Sequence, residues 1–267
     1  MNRIATNTLL AAGGLVLASS CVSLDSPGLA PVHPQRPTFS QDTYTTPNGM
    51  LELEAGANVQ FRKNSSVPTY VKYGAGERTE IYVGADVLKA VEDSTGDTHT
   101  GFGDVNVGVR HRLRDKDEFE PGVAFQLRTK LPTASTNNNL GSGETDWFLG
   151  LSGEQDYKGN TFVGFYELGI LGEQFEPETD IEHLFAAAGY TPINKQFEGY
   201  GEAAFDWIPE QSYDSLTVAG GVFYKVNPSL WLDIGLRVGL SDDAPDYQIL
   251  FGLTRALGKL GLRRDVR

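Results

Sequence analysis

The residues best able to do chemistry are few and scattered along the chain. There are four histidines and one cysteine, at His33, His99, His111, His183 and Cys21. A hydrolase needs a nucleophile, a base and an orienting partner in one cluster, and a zinc site needs ligands at short, regular spacing. The sequence has neither pattern, and only His183 is expected to face the interior of the fold. We therefore predict no enzymatic activity, no bound metal and no cofactor.

The single cysteine follows a segment typical of an export signal. Arg3 precedes an apolar stretch from Leu9 to Ala18, and small residues follow, which predicts a signal peptide over residues 1–20. Two interpretations of Cys21 stay open: a chance cysteine beside an ordinary cleavage site, or the residue that carries a lipid anchor. Both predict a mature chain without an internal disulfide bond, because a disulfide needs two cysteines.

The elements that must position the polar residues are strands with one apolar and one polar face. The clearest runs from Leu230 to Leu240, where Leu, Ile and Val alternate with Asp, Gly and Arg. Neighbouring side chains of a strand point to opposite faces. A chain of long alternating strands is typical of a closed barrel with lipid outside and water inside. The predicted strands are 50–61, 66–75, 78–89, 101–114, 118–132, 144–155, 160–171, 180–190, 196–207, 214–226, 229–240 and 246–257.

We therefore predict an all-β fold, an antiparallel up-and-down transmembrane β-barrel of about twelve strands. The barrel would cover residues 49–258, with a C-terminal tail over 259–267. Residues 21–48 are Pro-rich and without periodicity, which predicts a periplasmic tether. Connections alternate between short turns and long polar loops, and in outer-membrane barrels the short turns face the periplasm. A soluble β-barrel is the rival fold.

The predicted localisation is the bacterial outer membrane, and the predicted partners are its lipid and the barrel-assembly machinery. The chain carries 22 Lys and Arg against 35 Asp and Glu, a net charge of −13. This charge argues against nucleic acid as a partner, because nucleic-acid binding relies on basic surfaces. Aromatic residues are expected to mark the two membrane interfaces. The predicted outer set is Phe61, Trp147, Trp207 and Tyr247, and the inner set is Phe119, Tyr190, Phe197 and Tyr224.

Charged side chains are predicted to line the lumen, because a Lys or Arg facing lipid at the midplane costs about 2–4 kcal/mol. The predicted charged lining is Asp104, Arg110, Arg112, Arg128, Lys130, Asp146, Glu202, Asp206, Asp233 and Arg237. The aromatic residues predicted to face inward are Tyr82, Phe102, Phe148, Phe185, Tyr200, Phe223 and Trp231. A hairpin centred near Lys116 would place Asp104 opposite Arg128. Either a salt-bridged filling or a polar conduit fits these charges, and the aromatic residues would plug the lumen or bind apolar ligands.

One stretch resembles a known family. Residues 100–135 read TGFGDVNVGVRHRLRDKDEFEPGVAFQLRTKLPTAS, with Gly103-Asp104 opening a strand and Leu131-Pro132-Thr133 closing the next. This is similar to the outer-membrane barrels grouped as meta-pathway phenol-degradation proteins, often labelled transporters. Ala134 stands where members usually have Gly. The resemblance implies a porin-like channel for uptake of small hydrophobic or aromatic compounds. The alternatives are a closed structural or adhesive barrel that acts through its outer loops, and a lipid-acting barrel hydrolase that uses His183.

Overall fold

The computed structural model describes residues 30–60, 64–93, 95–172 and 179–260. The predicted signal peptide, Cys21 and Phe61 lie outside these residues. Among the described residues, no helix is long and apolar enough to cross a membrane. The strands are β1 (Met50–Val59), β2 (Ser65–Gly74), β3 (Thr79–Glu92), β4 (Thr98–Gly101), β5 (Val105–Arg114), β6 (Gly122–Leu131), β7 (Asp146–Tyr157), β8 (Asn160–Leu171), β9 (Asp180–Pro192), β10 (Phe197–Ile208), β11 (Tyr213–Asn227), β12 (Leu230–Gly239) and β13 (Tyr247–Lys259), with single-turn 3-10 helices at Thr136–Asn138 and Pro209–Gln211.

The strands form one closed antiparallel sheet. Each strand pairs with the next around the wall, and β13 pairs back onto β1, from Met50 opposite Lys259 to Val59 opposite Ile249. The short strand β4 and the longer β5 both pair with β3, at its two ends, and so occupy one position in the wall. The barrel therefore has 12 strand positions, and the predicted all-β transmembrane barrel is confirmed.

The interruption between β4 and β5 corrects two predictions. Asp104 does not line the lumen: its Oδ1 accepts the backbone N–H groups of Thr133 and Ala134, each at 2.9 Å, and so anchors the long loop after β6 at the rim. Phe102, predicted to face inward, is instead exposed. A rim carboxylate satisfies loop donors that the strand ladder cannot reach, and the alternation of residues along the strand gives no sign of this.

The predicted register of the next hairpin is also wrong. Arg128 lies opposite Gly108, not opposite Asp104. The turn between β5 and β6 covers residues 115–121, longer than predicted, and a bulge adds one residue between Arg112 and Arg114. Because turn length and bulges set the register of a hairpin, both shift every pair along it.

The two faces of the wall are inverted relative to a soluble barrel. Leu149 and Ile234 are 54% and 60% exposed, whereas Glu52 on the inward face is fully buried. Large apolar side chains cover the outside of most strands, and acids and bases point into the lumen. Water would not stabilise a continuous apolar exterior of this kind, but hydrocarbon does. The arrangement therefore fits a barrel that crosses a lipid bilayer and disfavours the soluble barrel.

Close packing of the wall leads to a testable expectation at Gly221. An alanine Cβ at this position would lie 2.2 Å from the backbone oxygen of Ile234 and 2.7 Å from the Cα of Gly235, its pair on β12. Backbone atoms in a ladder cannot move aside, so we expect Gly221→Ala to lower the free energy of unfolding by about 1–3 kcal/mol. Urea unfolding in detergent would measure the change.

The matched control is Gly153→Ala on β7, where no atom lies within 4 Å of an added Cβ. This substitution removes a flexible residue from a strand without a clash, so we expect no loss of stability. Equal losses in both variants would contradict the steric explanation.

Candidate functional site

The segment before β1 lies inside the barrel. Residues 30–47, which we call the plug segment, enter the lumen near the turn that joins β11 to β12, where Val32 donates its N–H to the oxygen of Pro228 at 2.9 Å. The segment reaches Arg237 on β12, which donates to the oxygen of Pro37 at 3.0 Å. It returns to the same rim, where Gly49 donates to Gly74 at 2.8 Å. The prediction of a periplasmic tether is therefore wrong for residues 30–48, which lie inside the barrel.

Three hydroxyl residues spaced three apart fasten the plug segment to the wall. Each donates both its backbone N–H and its hydroxyl to one carboxylate oxygen of the barrel. The donor and acceptor pairs are Ser40 with Glu202 on β10 (both 2.7 Å), Thr43 with Glu154 on β7 (3.1 and 2.9 Å), and Thr46 with Glu80 on β3 (2.8 and 2.6 Å). Hydrogen bonds to charged acceptors are the stronger kind. The lumen acids thus serve largely as acceptors for a segment that would otherwise carry unpaired buried donors.

Basic residues of the lumen hold the deepest part of the plug segment. Arg110 donates to the side-chain oxygen of Gln41 at 2.6 Å. The guanidinium of Arg237 lies 3.7 Å from the ring centre of Phe39, a favourable cation–π geometry. Gly56 on β1 makes room for Arg36, whose Nη1 would lie 2.0 Å from an added Cβ.

A buried ion-pair cluster lies beside the plug segment. Lys72 on β2 lies 2.7 Å from Glu54 and 3.4 Å from Glu52, and all three side chains are buried. Glu54 also accepts the N–H of Gln35 at 2.7 Å. Lys72 is missing from the predicted lining residues because β2 alternates weakly, although its register with Glu52 would have identified it.

Aromatic side chains lie in the lumen beside the plug segment. Phe223 is buried between Tyr190, Tyr200 and Trp231, with ring centres 5.3–6.2 Å away. Tyr190, predicted to face lipid at the inner rim, points inward and reaches the hydroxyl of Thr38 at 3.2 Å. These rings therefore pack against one another and against the plug segment inside the lumen.

The lumen also holds a chamber of about 350 Å³. Its floor is the deepest part of the plug segment, residues 35–39 and 41, and its walls come from most of the strands. Arg128 lies 2.6 Å from Glu167 and 3.6 Å from the ring centre of Phe148. Tyr82 lies against Gly108, where an added Cβ would be 2.3 Å from its ring. The chamber therefore combines charged and aromatic walls.

Of the remaining predicted lining residues, Asp206 lines the chamber, and the others lie nearer the rims or behind it. Arg112 pairs with Asp115 at 2.9 Å, and Lys130 forms an ion pair with Asp146. Asp206 lines the chamber, and Asp233 is buried without lining it. Three further acids line the chamber: Glu80, which the alternation along β3 could have identified, and Glu167 and Glu182, whose strands β8 and β9 alternate weakly.

His183 is on the outside of the barrel, not the inside. Its Nδ1 lies 3.0 Å from the hydroxyl of Tyr166, and its ring lies 5.4 Å from that of Trp207. Phe185, also predicted to face inward, shares this exposed aromatic patch. His183 therefore has no access to the lumen acids. Among the residues described by the structure, no group of three or more His, Cys, Asp or Glu side chains is placed to hold a metal ion.

The sequence model of the family described as "Putative MetA-pathway of phenol degradation" matches residues 35–255. The chain belongs to this family. The match begins within the plug segment and runs through nearly the whole barrel, so the family resemblance noted in residues 100–135 is confirmed over most of the chain. No protein with a curated description matches the chain in sequence.

Comparison with solved structures finds similar barrels at low sequence identity, and the first of those below shares the fold of this family member. The COG4313 outer membrane channel from Pseudomonas putida F1 is 10% identical, with a TM-score of 0.60, over 84% of this chain and 99% of the channel. The translocator domain of the autotransporter NalP from Neisseria meningitidis is 12% identical, with a TM-score of 0.45, over 94% and 96%. The anion-selective porin from Comamonas acidovorans is 6% identical, with a TM-score of 0.39, over 78% and 98%.

Proposed function

We propose that this barrel is an outer-membrane channel that admits small solutes, apolar and aromatic ones included, and that the plug segment controls their passage. One observation carries the proposal. Residues 30–47 of the chain lie inside the lumen, and beside them is a chamber of about 350 Å³ with charged and aromatic walls. The family membership and the likeness in fold to an outer membrane channel support it.

The plug segment is held in a way that permits release. Its fastenings are mainly hydrogen bonds from Ser40, Thr43 and Thr46 to carboxylates, and water can replace such bonds when the segment leaves. Its apolar anchoring is small: in the described core, Val32 packs with Met50 and Ala256 at the rim. A permanent filling would instead bury large apolar side chains, because apolar burial is what makes a core hard to open.

The orientation follows from export. The plug segment enters at the rim that carries the short turns, and we place that rim in the periplasm because an exported chain leaves its N-terminal part there. The chamber then faces the exterior. We assign no catalytic step to the lumen, because the candidate histidine for such a step, His183, contacts Tyr166 and Trp207 outside the barrel.

Permeation through proteoliposomes tests the proposal. Vesicles that contain the full chain should swell in solutions of small neutral aromatic solutes and not in solutions of large oligosaccharides. A variant that lacks the three hydroxyl fastenings of the plug segment should swell faster than the wild type. If neither protein passes solute or ions, the channel proposal fails, and the closed structural barrel becomes the better account.

A further inference from the structure

We propose that the chamber binds a small zwitterion with an apolar or aromatic body, its carboxylate on Arg36 and its ammonium group on Glu182 and Asp206. All three residues line the chamber. This inference deepens the proposed function, on which it rests, by naming the class of solute that would enter. It depends on two groups of opposite charge that the described protein leaves without ionic partners.

Arg36 is the positive pole. The residue is only 8% exposed. Its Nη2 donates a hydrogen bond to the side-chain oxygen of Asn58, at 3.3 Å. Within the described ranges, Nε and Nη1 have no hydrogen-bond partner. Asp233 is close enough to interact electrostatically with Arg36, but no ion pair within 4.0 Å joins them. Buried unpaired donors are costly, and a carboxylate satisfies a guanidinium with two parallel hydrogen bonds.

Glu182 and Asp206 form the negative pole. They lie on the neighbouring strands β9 and β10 and both line the chamber, and among the described residues Oδ1 of Asp206 has no hydrogen-bond partner. In the part of the chain that the structure describes, no Lys or Arg nitrogen lies within 4.0 Å of either one. The other acids that line the chamber have such partners: Glu54 has Lys72, Glu80 has Arg110, and Glu167 has Arg128.

The two poles lie on different sides of the barrel. Arg36 lies against Gly56 on β1, whereas the acids are on β9 and β10, and β11, β12 and β13 separate β10 from β1 around the wall. A simple anion would meet Arg36 and leave the acids unmatched, and a simple cation would do the reverse. A zwitterion satisfies both poles at once. The chamber volume of about 350 Å³ suits a small organic molecule.

The chamber walls favour an apolar body between the charged ends. Tyr70 and Tyr82 meet edge to face with ring centres 6.1 Å apart, and Phe39 of the plug segment completes the aromatic lining. Aromatic faces pack well against another ring. Since Phe39 and Arg36 belong to the plug segment, the solute would contact the same residues that close the barrel.

Calorimetric titration of the full chain in detergent tests the inference with three probes that share a para-disubstituted benzene ring. 4-(Aminomethyl)benzoate carries both charges, at opposite ends of the ring, 4-methylbenzoate carries only the carboxylate, and 4-methylbenzylamine carries only the ammonium group. We expect 4-(aminomethyl)benzoate to bind at least about tenfold more tightly than either of the others. Equal binding of 4-methylbenzoate or 4-methylbenzylamine, or binding of none of the three, would overturn the proposal.

Two variants locate the poles. Arg36→Gln should abolish the preference for 4-(aminomethyl)benzoate over 4-methylbenzylamine, and the double variant Glu182→Gln with Asp206→Asn should abolish the preference over 4-methylbenzoate. The controls are Arg112→Gln and Glu198→Gln, which remove lumen charges outside the chamber and should keep both preferences. Heat-modifiable migration on gels confirms that each variant is folded, and if a pole variant fails to fold, the wild-type ranking of the three probes still decides the question.

The outcome also separates this inference from the channel proposal. A barrel that ranks the three probes as expected but passes no solute, even with a weakened plug segment, would overturn the channel and keep the binding site. A barrel that conducts but does not prefer 4-(aminomethyl)benzoate would overturn the binding site alone.

Discussion

Removal of the hydroxyl groups of Ser40, Thr43 and Thr46 is expected to turn a largely closed barrel into one that conducts ions. Each hydroxyl donates to a buried carboxylate, and a hydrogen bond to a charged group contributes about 1.5–3 kcal/mol. Even the lower value, lost three times, shifts the docking of the plug segment by roughly a thousandfold. The triple variant Ser40→Ala, Thr43→Ala, Thr46→Ala should therefore show frequent, long openings in planar bilayers where the wild type shows few.

The neighbouring Thr45 supplies a matched control. Its hydroxyl is buried in the same segment, and within the described structure it has no hydrogen-bond partner. Thr45→Ala removes the same group without removing a bond, so its conductance should equal that of the wild type. A folded triple variant that shows no more channel openings than the wild type would contradict the proposal that the plug segment closes the channel. Openings of equal frequency in the Thr45 variant would show that any loss of volume in the segment is enough.

Replacement of Lys72 by Met is expected to cause a large loss of stability. The change removes the only base within 4.0 Å of Glu52 and Glu54 among the described residues, and both acids are almost fully buried. When one partner of a buried ion pair is removed, the uncompensated charge costs about 3–5 kcal/mol. Urea unfolding in detergent, followed by tryptophan fluorescence, should show a clear fall in the midpoint.

Lys225→Met is the control for this substitution. Lys225 pairs with Glu198 at 2.7 Å, but both side chains are partly exposed, and exposed pairs contribute about 0–1 kcal/mol. Its contact with Trp231 adds a similarly small amount. A double variant, Lys72→Met with Glu54→Gln, also removes one of the two acids that lose their ionic partner. It should regain part of the stability that Lys72→Met loses. A Lys72 variant no less stable than the Lys225 variant would contradict the role of a buried charge cluster.

Much of the barrel wall could be predicted from the sequence because lipid acts on each strand locally. A strand with a period of two must turn one face to hydrocarbon, so Leu230 to Leu240 reveals its own orientation without reference to any other strand. The same rule sends Arg110, Arg128 and Arg237 inward, where the structure places them. The alternation rule fails where the side chains are too small to differ in polarity between the two faces of the strand. Ala186, Ala187 and Ala188 on β9 do not show which residues of the strand face inward. For that reason the prediction that His183 faces the lumen is wrong.

The plug segment and the chamber were decided by tertiary structure alone. Residues 30–47 are polar, Pro-rich and without period, the same pattern that an exposed linker shows. Their partners lie far along the chain, since Ser40 and Glu202 are 162 residues apart and Thr43 and Glu154 are 111 apart. These acids meet the segment only because closure of β13 onto β1 brings distant strands around one axis. Local alternation determines which face of a strand meets lipid, but only the closed sheet determines what its polar face encloses.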